Sequence, residues 1–267
     1  MNVLFYAGII SQYFHEPYGS LVNGIIFGIP FTANKIFQTE LKNVGLIHIV
    51  VLSGMNLSIV CAFVSTVTAR FSKLVSIMIT ILIVVLYTVF VGFQAPIVRS
   101  LITNILTNVS ILFGKKTIPM YLLFISGFTS LLIWPEWSTS LSFYLSYGAT
   151  AGLILFSPKH QEKGLSGWSG IKQYVLAELQ TSLAAQVFTV PLIFVYFRQV
   201  SLISPISNVL TSWCILPLTI FGMLTAFLGS VHYYLGLPFY LISYGIAYYL
   251  VVVIHFLSLI PMASIQL

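Results

Sequence analysis

The spacing of charged side chains limits this chain more than any other feature. No Asp, Glu, Lys or Arg occurs from Asn43 to Ala69, from Leu74 to Val98, from Thr117 to Pro135, from Trp137 to Pro158 or from Leu179 to Phe197. After Arg198 none occurs through Leu267. Each of the first five gaps is near the roughly 20 residues that a helix needs to cross a bilayer core, and the last is long enough for at least two crossings. Charged residues make up only 6% of the sequence, against about 25% in a soluble domain, so such runs would not stay dispersed in water. A transmembrane barrel would alternate polar and apolar residues, and these runs do not. The pattern predicts an all-α fold, a polytopic transmembrane helical bundle with broken or re-entrant helices.

Spans are expected at about 44–69, 74–94, 96–113, 117–134, 138–157, 174–197, 206–229 and 238–260, about eight in all. Pro205, Pro217 and Pro238 punctuate the last uncharged stretch, so part of it reads as broken helix. Residues 1–43 read as short or interfacial helices ahead of a transmembrane core at 44–267. Met1 to Tyr13 is short for a span and lacks the basic start and cleavage site of a signal peptide. Leu21 to Phe31 is also too short to cross and reads as interfacial or re-entrant. Arg70 and Lys73, then Lys115 and Lys116, then Lys159, Lys163 and Lys172 fall in alternate loops. The positive-inside rule makes that side cytoplasmic. The opposite side then holds Gln94, Glu136, Arg198 and residues 14–43 with Lys35, Glu40 and Lys42. The net charge of +6 reports topology here more than an anionic partner.

Polar groups inside the spans are the functional candidates, because lipid penalises them unless they face protein or a wet cavity. The first span carries His48, Ser53, Gly54 and Asn56 in its middle. Either these mark a pathway through the membrane, or they are packing residues satisfied by neighbouring helices. Arg99 lies four residues into the third span, after Pro96. It either snorkels to the interface or joins Thr103 and Ser110, with Thr107 at the edge, on one wet helix face. Arg suits phosphate passing along such a face. The sixth span holds Glu178, Ser182 and Gln186 at i, i+4 and i+8. Glu178 also reads as a cytoplasmic-end residue, and Pro191 is expected to kink this helix. Ala184 and Ala185 permit close helix approach. Ser140, Ser142 and Ser146 mark the fifth span and Asn208 the seventh; small hydroxyls here serve packing or function. His232 reads as a turn residue and His255 as a satisfied packing residue. Cys61 and Cys214 read as buried structural thiols.

What the chain lacks narrows its chemistry. It contains no Asp and five Glu, no His pair at helical ligand spacing and no phosphate-binding glycine loop. A two-metal nuclease or phosphoryl-transfer enzyme lacks its ligands. No catalytic residue, metal or cofactor is expected. One enzymatic alternative remains, an intramembrane serine hydrolase using Ser53-Gly54 and a His from another span. The Gly expected two residues before such a Ser in the rhomboid type is Val51 here.

Gly45-Leu46-Ile47-His48-Ile49-Val50-Val51-Leu52-Ser53-Gly54-Met55-Asn56 resembles the Gly-Leu-x-His-Leu-Leu-Ala-Val-Ser-Gly-x-His signature of ComEC-type competence proteins. Leu21 to Gly28 is similar to that family's short preceding segment. Gly92 to Ser100 is similar to its Pro- and Arg-bearing segment, and Pro135 with Leu141 to Ser146 to its Ser-Phe-x-Leu-Ser segment. Ser182 to Leu192 and Ser204 to Asn208 are similar to its later segments. All occur in the family's order over about residues 16–220. The resemblance implies a multi-pass channel of the bacterial cytoplasmic (inner) membrane that admits one DNA strand during natural transformation. It marks His48, Ser53, Arg99, Gln186 and Asn208. It also implies separate DNA-binding, nuclease and motor proteins as partners, beside single-stranded DNA and the lipid bilayer. Two departures stand out. Asn56 occupies a position where His is common, and neither the oligonucleotide-binding nor the metallo-hydrolase-like domain of larger members is expected here. A small-molecule or ion transporter is the alternative of another class.

Overall fold

The computed structural model describes residues 3–29, 35–47, 54–157, 168–260 and 264–266. Eleven α-helices carry the described chain. α1 (Val3–Tyr13), α2 (Tyr18–Phe27) and α3 (Lys35–Asn43) come first. α4 (Gly54–Thr68), α5 (Lys73–Val91), α6 (Ala95–Leu112), α7 (Pro119–Ile133) and α8 (Leu141–Phe156) follow, with a 3-10 turn at Pro135–Thr139 before α8. The long helices α9 (Trp168–Phe197), α10 (Ser204–Val231) and α11 (Tyr233–Ser258) end the helical part. Five helices are long and apolar enough to cross a membrane: α5, α6, α9, α10 and α11. The other three expected spans are shorter, with 15 residues in α4 and α7 and 16 in α8. Among the described residues the only strands are a three-residue pair, β1 (Gln199–Ser201) and β2 (Ser264–Gln266), antiparallel with Val200 opposite Ile265.

The expected span at 44–69 does not begin as helix at its first residues. α3 stops in a left-handed turn: Gly45 has φ +74, its N–H bonds to the Lys42 carbonyl at 3.1 Å, and the Leu46 N–H bonds to the Leu41 carbonyl at 2.9 Å. Glycine suits that conformation, and the two reverse bonds satisfy the last carbonyls of the helix. Leu41 and Leu46 are both buried beside Thr211 of α10 and Ile254 of α11. Residues 48–53 lie outside the described residues, and the next described helix is the one from Gly54. Pro217 and Pro238 do not break the helices as expected, since α10 and α11 run through them. Helices at membrane depth tolerate proline because neighbouring groups re-satisfy the freed carbonyl. Pro205 sits in the first turn of α10, where no N–H is needed.

The largest core joins α1, α2 and α3 to α10 and α11. α2 is enclosed by protein: Leu21, Val22, Ile25, Ile26 and Phe27 are all buried. The carbonyls of its last turn find partners on the next helices. Asn56 Nδ2 of α4 donates to the Ile25 carbonyl, and the Tyr87 hydroxyl of α5 donates to the Ile26 carbonyl at 3.4 Å. His255 differs from its expected packing role. It is exposed on α11 and pairs with Glu40 of α3 at 2.9 Å.

Asn56→Ala is expected to lower the thermal midpoint of the protein in detergent. Leaving the Ile25 carbonyl unpaired costs about 1–3 kcal/mol. The Asn56 Oδ1 is itself buried without a partner, so its removal offsets part of the loss and the net falls near the lower end. An unchanged midpoint would show that Asn56 does not anchor α2.

Candidate functional site

α4 packs on α5 and α6, α6 on α7 and α8, α8 on α9, and α9 on α10, which returns to touch α4. The helices α4, α6, α8, α9 and α10 therefore close a ring. The polar side chains singled out in the sequence fall mainly on the seams between these helices.

The first seam joins α4, α6 and α8. Arg99 is in the second turn of α6 and is half-buried. Its Nε donates to Ser146 Oγ on α8 at 2.9 Å. Among the described residues it has no carboxylate partner. Gly54, the first residue of α4, is held tightly against it. A Cβ on Gly54 would lie 2.8 Å from the Pro96 carbonyl oxygen and 2.9 Å from an Arg99 Nη. The absence of a side chain is what lets α4 reach α6 here. Ser100 then ties the two backbones, its hydroxyl donating to the Gly54 carbonyl at 2.8 Å. Asn104 Nδ2 extends the line with bonds to the Ser100 carbonyl and hydroxyl at 2.8 and 3.2 Å, and Asn108 Nδ2 bonds the Asn104 carbonyl at 2.9 Å.

The second seam joins α9 and α10. Gln186 Nε2 donates to Ser182 Oγ at 3.2 Å and to Ser204 Oγ at 3.1 Å. Asn208 Nδ2 donates to the same Ser182 Oγ at 2.8 Å. Four neutral groups thus clasp the middle of α9 to the first turns of α10. The clasp is continuous with the end of α3. A Cβ on Gly45 would lie 2.6 Å from Ser204 Cβ, and Ser207 Oγ donates to the Val44 carbonyl at 2.7 Å. Between the two seams α8 and α9 meet through small residues, Gly152 against the Ala184 carbonyl.

The structure therefore brings Gly54 to Arg99, and Ser182 and Gln186 to Asn208. It leaves others apart. Asn56 points to α2 rather than to either seam. The Thr103 hydroxyl bonds back to the Arg99 and Ser100 carbonyls of its own helix. Ser142 is exposed in the first turn of α8. Glu178 has no hydrogen bond to the α9–α10 clasp. His48 and Ser53 lie outside the described residues. Ser100, Asn104 and Asn108 are not among the residues expected from the sequence, although their i, i+4, i+8 spacing is as regular as that of the Arg99 stripe beside them. Ser146 reads from sequence only as a small hydroxyl, because nothing local points to its partner 47 residues away. Among the described residues no three His, Cys, Asp or Glu side chains gather where they could hold a metal.

Residues 25–267 match the profile of a family described as "Competence protein". The chain is also similar to an uncharacterized protein of Aquifex aeolicus (strain VF5), with 29% identity over 201 residues. That match covers 74% of this chain but 44% of the relative, so the chain spans less than half the length of the curated relative it matches. No solved structure matches.

Proposed function

Because this chain belongs to the competence protein family, we propose that it is the part of a bacterial inner-membrane channel that passes one DNA strand toward the cytoplasm. Arg99 carries the proposal. A guanidinium inside an apolar helix bundle is costly to insert, and here its side chain meets a neutral hydroxyl on the neighbouring helix rather than a carboxylate. Such a group keeps the N–H donors of its two Nη atoms for a phosphate without first breaking an ion pair. A path for a polyanion must attract its cargo without trapping it. One cation at the first seam and neutral amides and hydroxyls at the second meet that requirement better than a densely basic lining would.

The partners expected for such a channel are single-stranded DNA, the bilayer, and separate DNA-binding, nuclease and motor proteins. The test is the entry of end-labelled DNA into a nuclease-resistant pool inside transformable cells, compared between wild type, a deletion strain and the complemented deletion. Loss on deletion with recovery on complementation is the expected result. Entry that persists in the deletion strain overturns the proposal and favours a transporter of small molecules or ions.

A further inference from the structure

Three aromatic rings outside both seams form one column. Phe93 lies in the link between α5 and α6, Trp134 caps the end of α7, and Trp137 lies in the 3-10 turn before α8. The Phe93 and Trp134 rings are stacked with centroids 5.7 Å apart and planes at 29°. The Trp134 and Trp137 rings are stacked at 4.6 Å and 14°. The column thus ties together the two links that lead into α6 and α8. These are the same two helices that Arg99 and Ser146 join in their second turns. Rings and guanidinium therefore sit at the same end of the same helix pair.

We propose that this column is a stacking platform for the unpaired bases of a DNA strand arriving at Arg99. The inference rests on the channel reading above. Tryptophans of an interfacial belt are placed by depth in the headgroup region, which by itself does not require their rings to stack. Here rings from two separate links are instead aligned face to face, and the Phe93 end of the column is open, with 53% of that residue exposed. The neighbouring Glu136 is exposed on the same 3-10 turn and repels phosphate, so the column offers ring faces and not charge. Every base has a π-face, so such a site holds a strand without reading its sequence. Arg99 supplies the complementary contact to the backbone.

The test uses the purified full chain in lipid nanodiscs and two probes of equal length and charge. One is oligothymidylate of about 12 residues, a length within the usual footprint of a single-strand binding groove. The other is an abasic oligomer with the same phosphates. The wild type is expected to bind oligothymidylate at least about fivefold more tightly. Phe93→Ala, which removes the ring at the open end, is expected to bring the two affinities together while abasic binding stays unchanged, which also reports that the variant is folded. Phe93→Trp keeps a ring and is expected to keep the preference. A preference that survives both Phe93→Ala and Trp134→Ala overturns the platform. So does a wild type that binds both probes equally while DNA entry still depends on the chain, and in that case the channel reading stands. A wild type that binds neither probe overturns both.

Discussion

Arg99→Ala is expected to cut DNA entry by about tenfold to a hundredfold without lowering the amount of protein in the membrane. The lower bound follows from losing one charge-assisted hydrogen bond to phosphate, worth about 1.5–3 kcal/mol, at about 1.4 kcal/mol per factor of ten. The second half of the expectation separates passage from folding. An Arg within a spanning helix costs about 2.5–3.5 kcal/mol to insert, so alanine is easier to accommodate. The Ser146 hydroxyl left behind can bond a carbonyl of its own helix. Arg99→Lys keeps the charge but not the planar fork that reaches Ser146 through Nε, and is expected to fall between the two. The assay is labelled-DNA entry normalised to immunoblotted membrane protein. Wild-type entry in Arg99→Ala at normal protein level would remove Arg99 from the path.

Gly152→Ala is expected to act on the bundle itself. A Cβ there would lie 2.1 Å from the Ala184 carbonyl oxygen, the shortest such distance among the described glycines. The obstacle is backbone, so α8 and α9 must move apart. Membrane helices associate largely through close approach of small residues, and this pair has the most extensive contact of any in the ring. Overpacking costs about 1–3 kcal/mol, and an obstacle that cannot relax through a side chain puts this site toward the upper end. Gly222 is the comparison, because a Cβ there would meet the Ile26 Cδ1 at 2.3 Å. That atom is the end of a rotatable side chain, so Gly222→Ala is expected to cost less. Thermal unfolding in detergent and steady-state membrane levels would both show the difference. Equal midpoints for the two variants would mean that α8 and α9 do not meet at Gly152.

The helices were legible in the sequence where charge and proline mark their ends. α6 was expected at 96–113 and runs Ala95–Leu112; α5 was expected at 74–94 and runs Lys73–Val91. A lysine at the first position of α5 and a proline in the first turn of α6 fix those boundaries locally. The stop at Gly45 was less legible. Its apolar surroundings read as continuous span, and only the close approach of Ser201 and Ser204, more than 150 residues on, makes a glycine in a left-handed turn necessary there. The pairings at the site were illegible for the same reason. Periodicity put Ser182 and Gln186 on one face of α9, but it could not say that Ser204 and Asn208 would meet that face. Nor could it separate Asn56, committed to the end of α2, from Gly54 two residues before it, which abuts Arg99.

One consequence of the two seams concerns acidity. A guanidinium keeps its proton throughout the physiological range, and the amides and hydroxyls of Gln186, Asn208, Ser182, Ser204 and Ser146 neither gain nor lose one. The hydrogen bonds that hold α6 to α8 and α9 to α10 therefore do not titrate. A cell that acidifies or buffers its surroundings leaves both seams as they are, and any response of this chain to pH must originate in groups outside them, such as the His255–Glu40 pair.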